Sequence, residues 1–256
     1  MVIFIVVVII AAVAASIGNA IWNSRMKDKR RQEMAGWAQA NGLEFLPEKD
    51  HSVWLRYQLF KCLQRGEDYY AYNIAQGTSG QRATCGFDYH YETHSSDSKG
   101  NRQTHHHYFS ALVVDAGFLL KPLYIRPENF FDKVAEFVGF EDINFESTEF
   151  SQKFFVKSPD RRWAYDVISQ KTMEMMLVYC RFNIEFQGTQ VMVYHDNRTF
   201  TLGEFSSALK VVTEMLDNLP ADVVEELKVM RSGPQPQLPY ARWAASEVDI
   251  GFKLHV

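Results

Sequence analysis

Cysteine is scarce: Cys62, Cys85 and Cys180 are the only three in 256 residues, widely separated and without a CxxC spacing. That excludes a zinc knuckle and a disulfide framework, and leaves three reduced, buried thiols as the expectation. Excess positive charge is missing too, with 27 Lys and Arg against 31 Asp and Glu, a formal charge of −4 and a pI near 6.1. No whole-chain field draws in nucleic acid, and no aromatic and basic RNA-binding motif occurs, so a nucleic-acid partner is excluded from the reading. Nor is there a G-x-S-x-G elbow, or the strand, glycine-rich turn and helix that cradles phosphate in P-loop and dinucleotide sites. No internal repeat is present.

What the chain has is apolar residues, 46% of the total with 14% aromatic, enough for a substantial core. Residues 2–22, "VIFIVVVIIAAVAASIGNAIW", carry no charge. As a helix rising about 1.5 Å per residue they reach about 30 Å, the thickness of a bilayer's hydrocarbon core. Trp22 stands where an interfacial aromatic belongs, and Arg25, Lys27, Lys29, Arg30 and Arg31 follow at once. The expectation is a transmembrane helix with its basic flank in the cytosol. A cleaved signal peptide competes, since "AVAAS" offers small residues, but its basic region would precede the apolar run rather than follow it. A buried core helix is the other competitor, and it seldom lacks a polar face for so long. Ala11, Ala14, Ala15 and Gly18 supply small-xxx-small pairs, a pattern that alanine-rich spans produce readily by chance.

Beyond the anchor, "RQEMAGWAQANGLEFLPEKD" reads as a short amphipathic helix stopping at Asn41-Gly42, then a brief strand over 43–46 and a proline-led turn. Strands follow. "DYYAYNIAQG" leads through the turn "GTSGQ" into "RATCGFDYHYE", where Cys85, Phe87, Tyr89 and Tyr91 alternate with Asp88, His90 and Glu92, the pattern of a half-buried strand. The polar "THSSDSKGNRQ" makes residues 82–115 a long-looped hairpin, and "PLYIRPE" a further strand. "PENFFDKVAEFVGF" predicts a helix with Pro127 in its first turn and Phe130, Val134, Phe137 and Val138 as its stripe. A strand over 154–157 leads to Ser158 as cap, Pro159 at the first helical position and Asp160 at the positive helix end. A helix over 170–179 and two strands around Gly188 come next. Thr201 and Glu204 form a capping box for a long helix, with Phe205, Leu209, Val212 and Leu216 inward and a break at Pro220. The Pro-rich "SGPQPQLPYARW" then connects to "VDIGFKLHV", an alternating terminal strand that needs a sheet edge in its own domain or in another molecule.

The chemistry-bearing residues converge poorly. On a strand, His105 and His107 share a face with His106 opposite, so a metal needs help from Asp88, His90 or His94 across the hairpin. The favoured reading is a strand entrance whose imidazoles stack on Tyr89 or Tyr91 or bond the neighbouring loop. Glu141, Asp142, Glu146 and Glu149 read as a solvated acidic loop. The expected site list therefore holds no catalytic residue, no cofactor and no metal.

The segments "NIAQGTSGQ", "FDYHYE", "HHHYFSALVV", "IRPENFFDKVAEFVGFEDINFES" and "EFSQKFFVKSPDRRWA", in that order, resemble an uncharacterised family of bacterial membrane-associated proteins, over about residues 36–220. The resemblance implies a membrane setting and a mixed α/β domain, and brings no catalytic residue. The expected architecture is α+β: an N-terminal transmembrane helix followed by a mainly antiparallel sheet packed with helices, with a PH-like barrel and C-terminal helix as the alternative. The expected divisions are an anchor and flank over 1–24, a basic juxtamembrane segment and short helix over 25–48, a soluble domain over 49–230, and the connector and terminal strand over 231–256. The expected function is a single-pass protein of a bacterial inner membrane. Its partners are the bilayer, through residues 2–22, and another protein through a cytosolic interaction or scaffold domain; self-association is left open. A membrane-tethered metal-dependent enzyme is the alternative.

Overall fold

The structure, a computed structural model, describes residues 1–97, 100–128 and 142–232, without the side chains of residues 2, 3, 5–12 and 230–232. The chain opens with one continuous helix, α1 (Val2–Ala40), and a short strand, β1 (Leu43–Leu46). After a helical turn, α2 (Val53–Arg56), come three long strands, β2 (Glu67–Ser79), β3 (Arg82–Ser96) and β4 (Arg102–Asp115). Then follow β5 (Leu123–Pro127), α3 (Thr148–Lys153), β6 (Phe154–Lys157), α4 (Arg161–Val167) and α5 (Gln170–Tyr179). The hairpin β7 (Asn183–Gln187) and β8 (Gln190–Tyr194) precedes α6 (Leu202–Asp217) and α7 (Ala221–Ser232). The fold is α+β.

The eight strands form one sheet in the order β1-β2-β3-β4-β8-β7-β5-β6, with every pairing antiparallel. Among the described residues the sheet is open, with β1 and β6 at its edges, which corrects the barrel alternative: closure requires those two strands to pair, and they lie at opposite ends of the order.

Both faces of the central strands are covered. Cys85, Phe87, Tyr89 and Tyr91 pack with Val53, Tyr57, Phe60 and Leu63 on one side. On the other, Trp37 of α1 and Phe205 of α6 close over β3, where a Cβ added to Gly86 would stand 3.2 Å from each ring. Residues 84–91 are all buried, so β3 is not the half-buried strand that its alternation predicts. Alternating polar residues announce a solvent face only when nothing charged pairs with them, and here Asp88 has a partner.

Several local expectations are met by the structure: the hairpin over 82–115, the helix over 170–179, the turn at Gly188 and the Thr201–Glu204 capping box. Others are corrected. Pro127 ends β5 opposite Phe154 instead of opening a helix. Asp160, not Ser158, caps α4 by accepting from the Trp163 N–H, while the Ser158 hydroxyl donates to the Pro122 carbonyl and accepts from the Asp160 N–H. Asp142 is no free acid; it accepts from the Val156 N–H while Ile143 and Phe145 are buried beside it. Met34, Trp37, Ala38 and Leu43, which precede residue 48, belong to the main core, and β1 pairs with β2. The three cysteines form no disulfide and are buried, and burial pushes the Cys180 thiol up to about 12. The stripe over 130–138, the Pro-rich connector and the terminal strand lie outside the described residues. Among the described residues no helix is long and apolar enough to cross a membrane, and most of the first twelve side chains fall outside that description.

The entrance to α6 sets an acid response. The Arg198 hydrogen bond, aided by the Thr201 N–H and hydroxyl, holds Glu204 at about 2, below its ordinary 4.5. Burial, and then the Arg198 charge, pushes His195 down to about 4 from 6.5. Between those two values the unfolded chain binds the His195 proton and the folded chain does not, so stability falls as pH drops from 6.5 to 4. Glu204 adds a second loss as pH drops from 4.5 to 2. Urea denaturation across pH is expected to show both declines, with His195→Gln flattening the upper one and leaving the lower in place.

Candidate functional site

The alternating residues of β3 that face α1 and α6 form a polar row, Asp88, His90 and Glu92, running on from Gly86 toward the hairpin end. Asp88 is fully buried, and three side chains converge on its carboxylate with four hydrogen bonds. Arg30 of α1 donates through Nε to Oδ2 at 3.0 Å and through Nη2 to Oδ1 at 2.7 Å. Asn73 donates to Oδ2 at 3.0 Å and Ser110 to Oδ1 at 2.5 Å. Ser110 Oγ also accepts from the Phe200 N–H at 2.9 Å, which ties the α6 entrance to the same point. Asn73 reaches in from β2 with φ of 51°, beside a register shift, so the strand bends to deliver it. Burial opposes the Arg30 charge, but the Asp88 hydrogen bond and charge outweigh it and raise the arginine above its ordinary value.

Two positions farther along, His90 is buried and its ring lies between Tyr70 and Tyr108, with centroids at 4.6 and 4.9 Å. Glu92 pairs with His106 across the hairpin. His90 Nε2 lies 3.1 Å from His106 Nδ1, and His106 Nδ1 lies 3.1 Å from Glu92 Oε1. The three ligand atoms all fall within 4.8 Å of one another. Burial pushes the His90 imidazole below its ordinary value, which favours the neutral ring with a free electron pair.

The histidine run separates as its alternation predicts. His107 turns to the opposite face, stacks on Tyr91 at 4.6 Å and contacts Thr93 Oγ1 at 2.8 Å. His105 meets Ser95 Oγ at 2.8 Å, and His94 meets Thr104 Oγ1 at 3.1 Å. Only His106 of the run joins the row. Asp88 and His94, both weighed as metal partners, are engaged elsewhere, and Tyr89 donates to the Leu63 carbonyl instead of stacking on a histidine. Glu92 and Arg30 are the residues of this candidate site that sequence reasoning missed. The signal for Glu92 was its place beside Asp88 and His90 on one face; for Arg30 there was none, because a basic run after an apolar segment already had an explanation.

A surface depression, lined among others by Glu44, Arg56, Gln76, Thr84, Asp115 and Gln190, contains none of these histidines.

Removing one partner from a buried ion pair strands the other, so Arg30→Met is expected to cost about 3 kcal/mol in chemical denaturation. Lys29→Met, one residue away and exposed, is expected to cost less than about 0.5 kcal/mol. Arg30→Lys should fall between them, because one ammonium cannot match both carboxylate oxygens in a fork.

No family model matches the chain, and no curated protein matches it. Among solved structures, the crystal structure of the mycobacterial trehalose monomycolate transport factor A, TtfA, is similar, with a TM-score of 0.53 at 12% identity over 74% of this chain and 96% of that one. At that identity the similarity is one of fold.

Proposed function

We propose that the chain is a single-pass membrane protein whose α+β domain acts at the cytosolic face of a bacterial inner membrane as a non-enzymatic interaction module. The observation that carries this reading is the division of labour along α1. From Arg30 to Ala40 the helix is built into the sheet domain, through the Asp88 ion pair and the burial of Met34, Trp37 and Ala38. From residue 13 to residue 29 it stands clear of the domain, with Val13, Ile17, Ile21 and Trp22 exposed. Nothing among the described residues covers that apolar stretch, and lipid is the solvent that suits it. The basic residues from Arg25 to Arg31 follow directly, on the side that resists passage across a membrane.

One helix serving as both span and core element makes the attachment stiff. About ten residues of helix separate Trp22 from the first core contacts, so the domain sits close to the lipid surface in a set orientation. Trp37 passes Gly86 and Arg30 passes Asp88, so the direction toward the amino end of α1 is also the direction toward the tip of the β3–β4 hairpin. The hairpin's distal half therefore faces the membrane side. The solved neighbour of similar fold is named as a transport factor, and a binding module at a membrane agrees with that name.

A metal-dependent enzyme is the second reading, favoured by the grouping of His90, Glu92 and His106. It ranks lower because those residues sit at an exposed hairpin, apart from the surface depression that would hold a substrate.

Membrane fractionation tests the proposal. The full chain is expected to remain in the pellet after alkaline carbonate extraction, whereas a chain lacking residues 2–22 moves to the soluble fraction. Release of the intact chain by carbonate would refute the anchor.

A further inference from the structure

The geometry points to a zinc site on the β3–β4 hairpin, formed by His90 Nε2, His106 Nδ1 and Glu92 Oε1, with a fourth position open to water. It does not depend on the membrane reading.

The ligand atoms lie 3.1, 3.1 and 3.9 Å apart. A tetrahedral zinc shell with bonds of about 2.0–2.1 Å spaces its ligands about 3.3 Å apart, so the three distances bracket the edge that zinc requires. Two imidazoles and one carboxylate match zinc in donor type, whereas calcium and magnesium take shells of oxygen. The site is held by an antiparallel ladder: Glu92 and His106 are register partners, and His90 precedes Glu92 by two residues on the same face. His90 is fixed by its burial and by the flanking rings of Tyr70 and Tyr108.

The other nitrogen of His90, Nδ1, is buried, and Nε2 is the one within reach of His106 and Glu92. The His106 ring presents Nδ1 to both of them. The His106 side chain is 53% exposed, which gives the ion an entry path and a water-accessible fourth position. Bound there, zinc would cross-link β3 to β4 in the half of the hairpin beyond the core.

The test uses the untagged full chain, purified in detergent, stripped of metal and titrated with Zn²⁺ against a chelating indicator, with Co²⁺ absorption reporting ligand geometry. One equivalent is expected to bind, and Co²⁺ to give the intense visible bands of a four-coordinate site. His106→Ala and Glu92→Gln, both at the solvent-facing end of the site, are each expected to weaken binding at least tenfold. His105→Ala, one residue away on the other face, is expected to leave it unchanged. Absence of stoichiometric Zn²⁺ uptake, or uptake that His106→Ala does not weaken, overturns the assignment. So does equal weakening by His105→Ala.

Discussion

The bidentate contact between Arg30 and Asp88 is the constraint on which the arrangement of this molecule depends. Asp88 lies at the centre of the sheet with no access to water, so its charge is tolerable only if cationic and neutral donors surround it. Arginine meets that need because its planar fork matches both carboxylate oxygens. Since Arg30 lies on α1, neutralising a charge inside the sheet also fixes where the leading helix crosses it. Ser110 extends the tie to the Phe200 backbone, so the first and the last long helices are both referred to one buried carboxylate.

The same row of β3 changes character along its length. At Gly86 it admits aromatic rings from two helices, at Asp88 it takes an ion pair, and at His90 and Glu92 it meets a histidine from the neighbouring strand. The gradient runs from apolar core to exposed polar edge within seven residues, and the helical cover ends where the imidazoles begin. In the proposed reading that polar edge lies on the membrane side, beside the basic flank of the anchor.

Local order was well legible in the sequence, because capping boxes, alternation and turn glycines act over a few residues. The Thr201–Glu204 box and the helix over 170–179 are of this kind. Coverage of the second face of β3 was not, because it depends on helices far away in sequence, and Asp88 looks like a solvent-facing residue until Arg30 is brought to it. Pro127 misled because a fixed φ suits the end of an edge-proximal strand as well as a helical first turn. The metal-ligand group was half legible: His90 was weighed as a partner for the run, but the choice of His106 with Glu92 depends on register. A slip of one residue would set His106 against Tyr91 on the opposite face.

In the proposed reading, a span and a core element are joined in one uninterrupted helix, which leaves no flexible joint between lipid and domain. Limited trypsin digestion of inverted membrane vesicles examines that directly, since Arg25, Lys27, Lys29, Arg30 and Arg31 are all cleavable residues and a loose linker there would be cut first. A continuous α1 docked through Arg30 predicts that these sites resist cleavage and the domain stays with the membrane while exposed loops are nicked. Rapid release of an intact domain beginning near residue 26 or 32 would contradict it.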